Sequence, residues 1–222
     1  KTMSQNDIEF KKPNDILKAY KNGLVGSWCD PEDTDKLLGE LPHPLFGVAA
    51  SDLYSSGEGK VALLYKSAQK FDPTFGAHER QTTGDCVSHS TRTAVDVTRC
   101  HEIVGGERED FVARGATEAI YGSRGHGGQG MSCSVAARFV HQNGGILVRK
   151  DYGFVDLSKY NSRIGTSWGR SGVPREVKEE GKKHQVKTIS MVKSVEEARD
   201  AIANGYALSV CSNYGFSSRR DS

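Results

Sequence analysis

The sequence predicts an α+β chain, with a helical half organised around one long helix that begins at Cys86 and a β-rich half after about Lys183. Three observations carry this expectation. Ser90, Ala94, Val97 and Cys100 recur at helical spacing and form a small-residue face suited to close burial. Ser194-Val-Glu-Glu197 is a capping box that opens a second helix, with Val195, Ala198 and Ile202 on one face and Asn204-Gly205 as its stop. The runs Gln185–Met191 and Tyr206–Ser212 flank that helix and read as strands.

Composition sets the outer bounds. A chain of 222 residues has room for one sizeable domain, or a small one plus an extension. A hydrophobic content of 36% with 26% charged residues matches an ordinary soluble globular protein. Thirty basic and 28 acidic residues leave a formal charge of +2, so no basic field points to a nucleic-acid partner. No apolar run approaches the ~20 residues of a membrane span, and the start, Lys-Thr-Met-Ser-Gln-Asn-Asp, lacks the apolar core of a signal peptide. The five cysteines, Cys29, Cys86, Cys100, Cys133 and Cys211, are scattered and odd in number. None forms a C-x-x-C pair that would suggest zinc or a thioredoxin-type site, and neither a metal nor a cofactor is expected.

In chain order, Asn14 or Asp15 caps a short helix through Ile16, Leu17 and Tyr20, and Lys36 to Leu41 forms another turn or two. Val61 to Tyr65 reads as a strand. The central helix from Cys86 is followed by a break at Gly105-Gly106, then by loose helical spacing from Asp110 to Tyr121. Gly122-Ser-Arg-Gly-His-Gly-Gly-Gln-Gly130 is the most glycine-dense stretch. It lacks the context of a phosphate cradle, which leaves a backbone-binding edge or a flexible surface loop. Ser132 or Ser134 caps a helix through Val135, Phe139 and Val140 that closes at Asn143-Gly144-Gly145. Tyr160 to Lys183 reads as a polar surface excursion.

The chemistry concentrates at Arg80-Gln-Thr-Thr-Gly-Asp-Cys86. A Gly-Asp turn delivers Cys86 to the first turn of its helix, where the helix terminus favours negative charge and hence the thiolate, the nucleophilic form. Gln81 offers a side-chain NH2 to an oxyanion beside the sulfur. A buried structural cysteine at a helix start is the competing reading.

These residues resemble the active-site entry of papain-like cysteine peptidases, in which a Gln, a glycine turn and a nucleophilic Cys open the central helix. The spacing is one residue shorter than the family's, and Val87 stands where the family has an aromatic residue. The resemblance implies a papain-like fold, with a helical left-hand domain and a β-rich right-hand domain that is incomplete in this chain. It implies peptide-bond hydrolysis through a Cys86 thioester, with Gln81 at the oxyanion. Gly127 and Gly128 would be the edge that holds a peptide or protein substrate, and no cofactor is implied. It covers residues 71–222, leaving residues 1–70 as an N-terminal extension, either an inhibitory propeptide or a docking arm to a larger protein assembly. With no propeptide signature visible, the arm is the stronger reading.

Secreted members of the family commonly carry a half-cystine three residues before the nucleophile. Thr83 stands there instead, which implies free thiols and a reducing, cytoplasmic compartment. The family's histidine lies roughly 130–150 residues after the cysteine, near or past position 216, whereas the last histidine here is His184. The resemblance therefore places the acid–base group beyond residue 222. Thr166-Ser-Trp-Gly169 echoes the family's Asn-Ser-Trp-Gly but stands in the wrong order. The alternative function is a non-catalytic structural component of a larger assembly, such as a virus or phage particle. Acyl transfer to an amine would use the same residues as hydrolysis.

Overall fold

The computed structural model describes residues 45–76 and 79–211. The expected helices within residues 14–22 and 36–41, together with Cys29, His43 and His78, lie outside them. In chain order the elements are α1 (Phe46–Ala49), a 3-10 turn (Ser51–Leu53), α2 (Tyr65–Phe71), α3 (Cys86–Val104) and α4 (Glu118–Gly122). There follow α5 (Cys133–Arg138), which continues into a π turn (Phe139–Asn143), then α6 (Ser162–Ser171), α7 (Arg175–Gly181), a 3-10 turn (Lys182–His184) and α8 (Val195–Ala203).

The α+β expectation, and with it the papain-like division into a helical and a β-rich half, is corrected. Among the described residues there is no sheet, only single bridges such as Leu45–Met191 and Gly115–Val148. The reason lies in where the backbone groups of the expected strands find partners. Val186 donates to the Val140 carbonyl at 3.0 Å, at the π turn after α5. Ala207 donates to the Thr98 hydroxyl at 2.9 Å, on α3. Val186 and Ile189 pack against the helical core rather than against a second strand. Val61–Tyr65 has no strand either and leads into α2. The excursion expected over Tyr160–Lys183 is likewise replaced by α6 and α7.

Several helix ends form where the local signals put them. The Ser132 hydroxyl accepts from the Val135 N–H at 3.3 Å and opens α5. The Ser194 hydroxyl accepts from Glu197 at 3.1 Å and opens α8, which stops at Asn204 and Gly205 (φ 97°). The buried face of α8 is not the expected one, however. Asp200 and Ala201 point inward while Val195 is 80% exposed. The cause is Asp200, whose two carboxylate oxygens accept from the Ser55 and Gly57 N–H groups, both at 2.8 Å. Asn204 adds a bond to the Ser56 hydroxyl. Residues 45–60 are thereby fastened to α8. Leu64 and Ala68 pack with Val97 and Cys100 of α3 in one hydrophobic cluster.

The larger cluster lies at the other end of α3, where Val87 meets Ala119, Ile120 and Tyr121 of α4, Ala136 and Phe139 at α5, and Val177 of α7. Helices α4 and α6 approach closely because their contact is lined by glycine. A Cβ on Gly165 would lie 3.1 Å from the Tyr121 ring, and one on Gly122 would press into Trp168.

Cys133 and Cys211 form a disulfide, with Cα atoms 6.2 Å apart and 78 residues between them in sequence. This corrects the expectation that all thiols are free. Replacing both with serine is expected to lower stability by about 2–4 kcal/mol, because the bridge restricts the unfolded chain. Urea unfolding of the oxidised wild type against the double variant measures it, and an unchanged midpoint would contradict the expectation.

Candidate active site around Cys86

Gly84 and Asp85 form the turn that launches α3, and Asp85 is its N-cap residue. Its carboxylate does not cap the helix. It turns inward, 1% exposed, and Oδ2 accepts from the Tyr160 hydroxyl at 2.8 Å. The first-turn N–H groups of α3, which have no partners within the helix, are thus left without a side-chain cap. Cys86 is the first helical residue; its thiol is unbridged and exposed. Cys100, on the same helix, is fully buried, and burial pushes its thiol up to about 11.

The glycine-rich stretch clasps this turn. Gly130 donates to the Gly84 carbonyl at 3.0 Å, and a Cβ on Gly84 would stand 2.9 Å from the Gln129 side chain. Arg124 fixes the stretch from beneath. It donates to the carbonyls of Gly128 at 2.9 Å, Tyr121 at 2.8 Å and Gly165 at 2.9 Å, and its guanidinium lies over the Tyr121 ring. Gly127 and Gly128 are exposed. The Gly128 carbonyl is committed to Arg124, and Gly127 lies against the Arg170 side chain. Gln81 is exposed, and its NH2 donates to the Thr83 carbonyl at 2.7 Å, closing its own turn.

An open groove of about 510 Å³ runs along α3. Ser90, Ala94 and Val97, three members of the small-residue face, line it together with Gln81, His89, Thr93, Arg92, Glu79, Phe75 and Leu208. Of that face, Val97 and Cys100 are buried as expected, while Ser90 and Ala94 are half-buried. The lining includes Gln81 but not Cys86.

Beneath the groove lies a set of charges that the sequence reading did not assemble. Arg149 donates to both carboxylate oxygens of Glu118 (2.8 and 2.7 Å) and to Glu79 (2.9 Å). Arg92 lies 3.6 Å from Glu79 and 3.7 Å from Asp96. His89 Nε2 is 3.4 Å from Asp85 Oδ2, and its ring meets Tyr160 edge-on. The available signal was the i, i+4 pairing of Asp85 with His89 and of Arg92 with Asp96 on one helix. Glu79, Glu118, Arg149 and Tyr160 come from four other places in the chain and carry no such signal. His101 bonds Ser67 and His141 bonds the Val186 carbonyl.

Burial raises the Asp96 carboxyl to about 6, against two contacts from the Gly115 N–H and the attraction of Arg92, which lower it. The folded chain therefore binds the Asp96 proton more tightly than the unfolded chain does. The resulting stability is present at low pH and is lost as pH rises from about 4 through about 6. Relative to Asp96→Asn, which keeps an acceptor for Gly115 and does not titrate, the wild type is expected to lose up to about 3 kcal/mol between pH 4 and pH 7.5. Denaturant melts at the two pH values check the sign; a wild type that gains relative to the variant contradicts it.

Among the described residues no group of His, Cys, Asp and Glu is arranged to hold a metal ion, and no helix is long and apolar enough to cross a membrane. Comparison with protein-family models, curated proteins and solved structures finds no match. The resemblance to papain-like peptidases rests on the residues around Cys86 themselves.

Proposed function

We propose that this chain carries the nucleophile of a cysteine peptidase, and that the nucleophile is Cys86. One observation carries the reading. The exposed, unbridged thiol is the first residue of a 19-residue helix, and a glycine-rich loop is hydrogen-bonded to the turn just before it. A helix start presents its positive end and unpaired N–H groups to a negative charge. Its uncapped N–H groups, that of Cys86 among them, are donors for an oxyanion. Gln81 joins them only by giving up its bond to Thr83.

In the proposed reaction the sulfur attacks the peptide carbonyl carbon. The C–N bond then breaks as the amine takes a proton, and water hydrolyses the thioester. The reaction also needs a proton carrier, the role that a histidine fills in the family these residues resemble. Gly127 and Gly128 supply a backbone edge without side chains of their own, with Arg170 packed against Gly127 and the Gly128 carbonyl held by Arg124.

The test is mass spectrometry after brief treatment with sub-stoichiometric iodoacetamide and, separately, with a peptidyl chloromethyl ketone. Cys86 is expected to be modified ahead of Cys100, whose raised pKa leaves it almost wholly protonated at neutral pH. The peptidyl reagent should act on it at lower concentration than iodoacetamide. Modification of Cys29 or Cys100 ahead of Cys86 would overturn the assignment.

A further inference from the structure

Arg92 differs from the other buried arginines. It lines the groove along α3 and is only 5% exposed. A guanidinium offers five N–H donors. Arg149 and Arg124 each make at least three bonds to oxygens at 2.7 to 2.9 Å. The neighbours of Arg92 stand further off, with His89 Nδ1 at 3.5 Å, Glu79 Oε2 at 3.6 Å and Asp96 Oδ2 at 3.7 Å. Its Nε is buried without a hydrogen-bond partner, as is that of Arg149, so what distinguishes Arg92 is that it has no bond shorter than 3.5 Å. These distances are at or past the limit of a useful hydrogen bond, so the guanidinium has lost water without gaining well-formed bonds.

Both nearby carboxylates are already engaged. Glu79 takes a 2.9 Å bond from Arg149, and Asp96 takes the Gly115 N–H. The groove that Arg92 faces is of small-molecule size. It offers an apolar surface from Phe75, Ala94, Val97 and Leu208, and hydroxyls from Ser90 and Thr93.

We propose that this groove binds a monocarboxylate with an apolar body, its carboxylate on Arg92 and its body against Phe75, Val97 and Leu208. A planar carboxylate matches the guanidinium fork with two parallel bonds, which the present neighbours do not supply. The ligand is either the C-terminus of a short apolar peptide or a free organic acid, and the chemistry is shared. The inference does not rest on Cys86 being a nucleophile.

Isothermal titration of the Cys86→Ala chain, in which no turnover through that thiol intervenes, tests the proposal. The probes are N-acetyl-leucyl-phenylalanine, its C-terminal amide, 3-phenylpropionate and inorganic phosphate. The dipeptide acid is expected to bind at least ~10-fold tighter than its amide, and Arg92→Gln to erase that difference. Binding of the dipeptide acid alone identifies peptide termini as the ligand; binding of phenylpropionate identifies free acids. Equal binding of acid and amide, an acid preference that survives Arg92→Gln, or phosphate binding as tight as the acids overturns the proposal. If Arg92→Gln does not fold, Ala94→Phe fills the groove without touching a charge, and retained acid binding in that variant is the overturning result.

Discussion

On the proposed reading, replacing Cys86 with alanine is expected to lower kcat/KM for peptide hydrolysis by on the order of 10³-fold or more, the scale on which loss of a covalent nucleophile is felt. In the proposed reaction the change removes the group that forms the acyl intermediate. It leaves the fold alone, because the side chain is exposed and outside both hydrophobic clusters. A fluorogenic peptide library read on wild type and variant measures the loss, with the circular dichroism of the two expected to coincide. Cys100→Ala serves as the contrast and is expected to cost stability rather than activity, since Cys100 is buried in the cluster between α2 and α3. His89→Ala separates two sources of the proton. General acid–base help is worth about 10²–10⁴-fold, so an unchanged rate in that variant agrees with a histidine outside the described residues. Turnover that survives Cys86→Ala would falsify the nucleophile assignment.

Glu118→Ala is expected to destabilise the fold by about 3–5 kcal/mol, the range for removing one partner of a buried ion pair. Glu118 is 1% exposed and accepts from Arg149 through both oxygens and from the Asn161 N–H at 2.8 Å. Truncation leaves the Arg149 guanidinium with Glu79 and a long contact to the Leu157 carbonyl, and orphans the Asn161 N–H. Arg149 also ties two backbone segments together, because its own N–H donates to the Arg114 carbonyl beside the Gly115–Val148 bridge. Glu118→Gln should lose less, since an acceptor oxygen remains. Replacing both partners by apolar residues, Glu118→Leu with Arg149→Met, should lose less than Glu118→Ala, because no buried charge is stranded. Urea unfolding of the four proteins forms the comparison. A loss below about 1 kcal/mol for Glu118→Ala, the scale of an exposed pair, would show that water reaches the site.

What the sequence determined by itself lies within single turns. The start of α3 at Cys86, the caps at Ser132 and Ser194 and the stop at Asn204-Gly205 depend on residues three or four apart, and each formed as read. Tertiary structure decided what depends on distant partners. A strand is defined by its neighbour, and the apolar runs after Lys183 found helices instead, so the expected sheet did not form. The inward face of α8 was chosen by Asp200, which seeks two N–H groups more than 140 residues earlier in the chain. Cys133 found Cys211 across 78 residues that carry no spacing signal. The same holds for the candidate site. Cys86 was legible as a helix start because the Gly84-Asp85 turn before it is a local signal. The clasp of Gly130 on Gly84 and the poorly bonded Arg92 in its groove were not. They arise only when loop, helix and charge network are packed together, since close packing alone decides which polar groups lose water and which regain a partner.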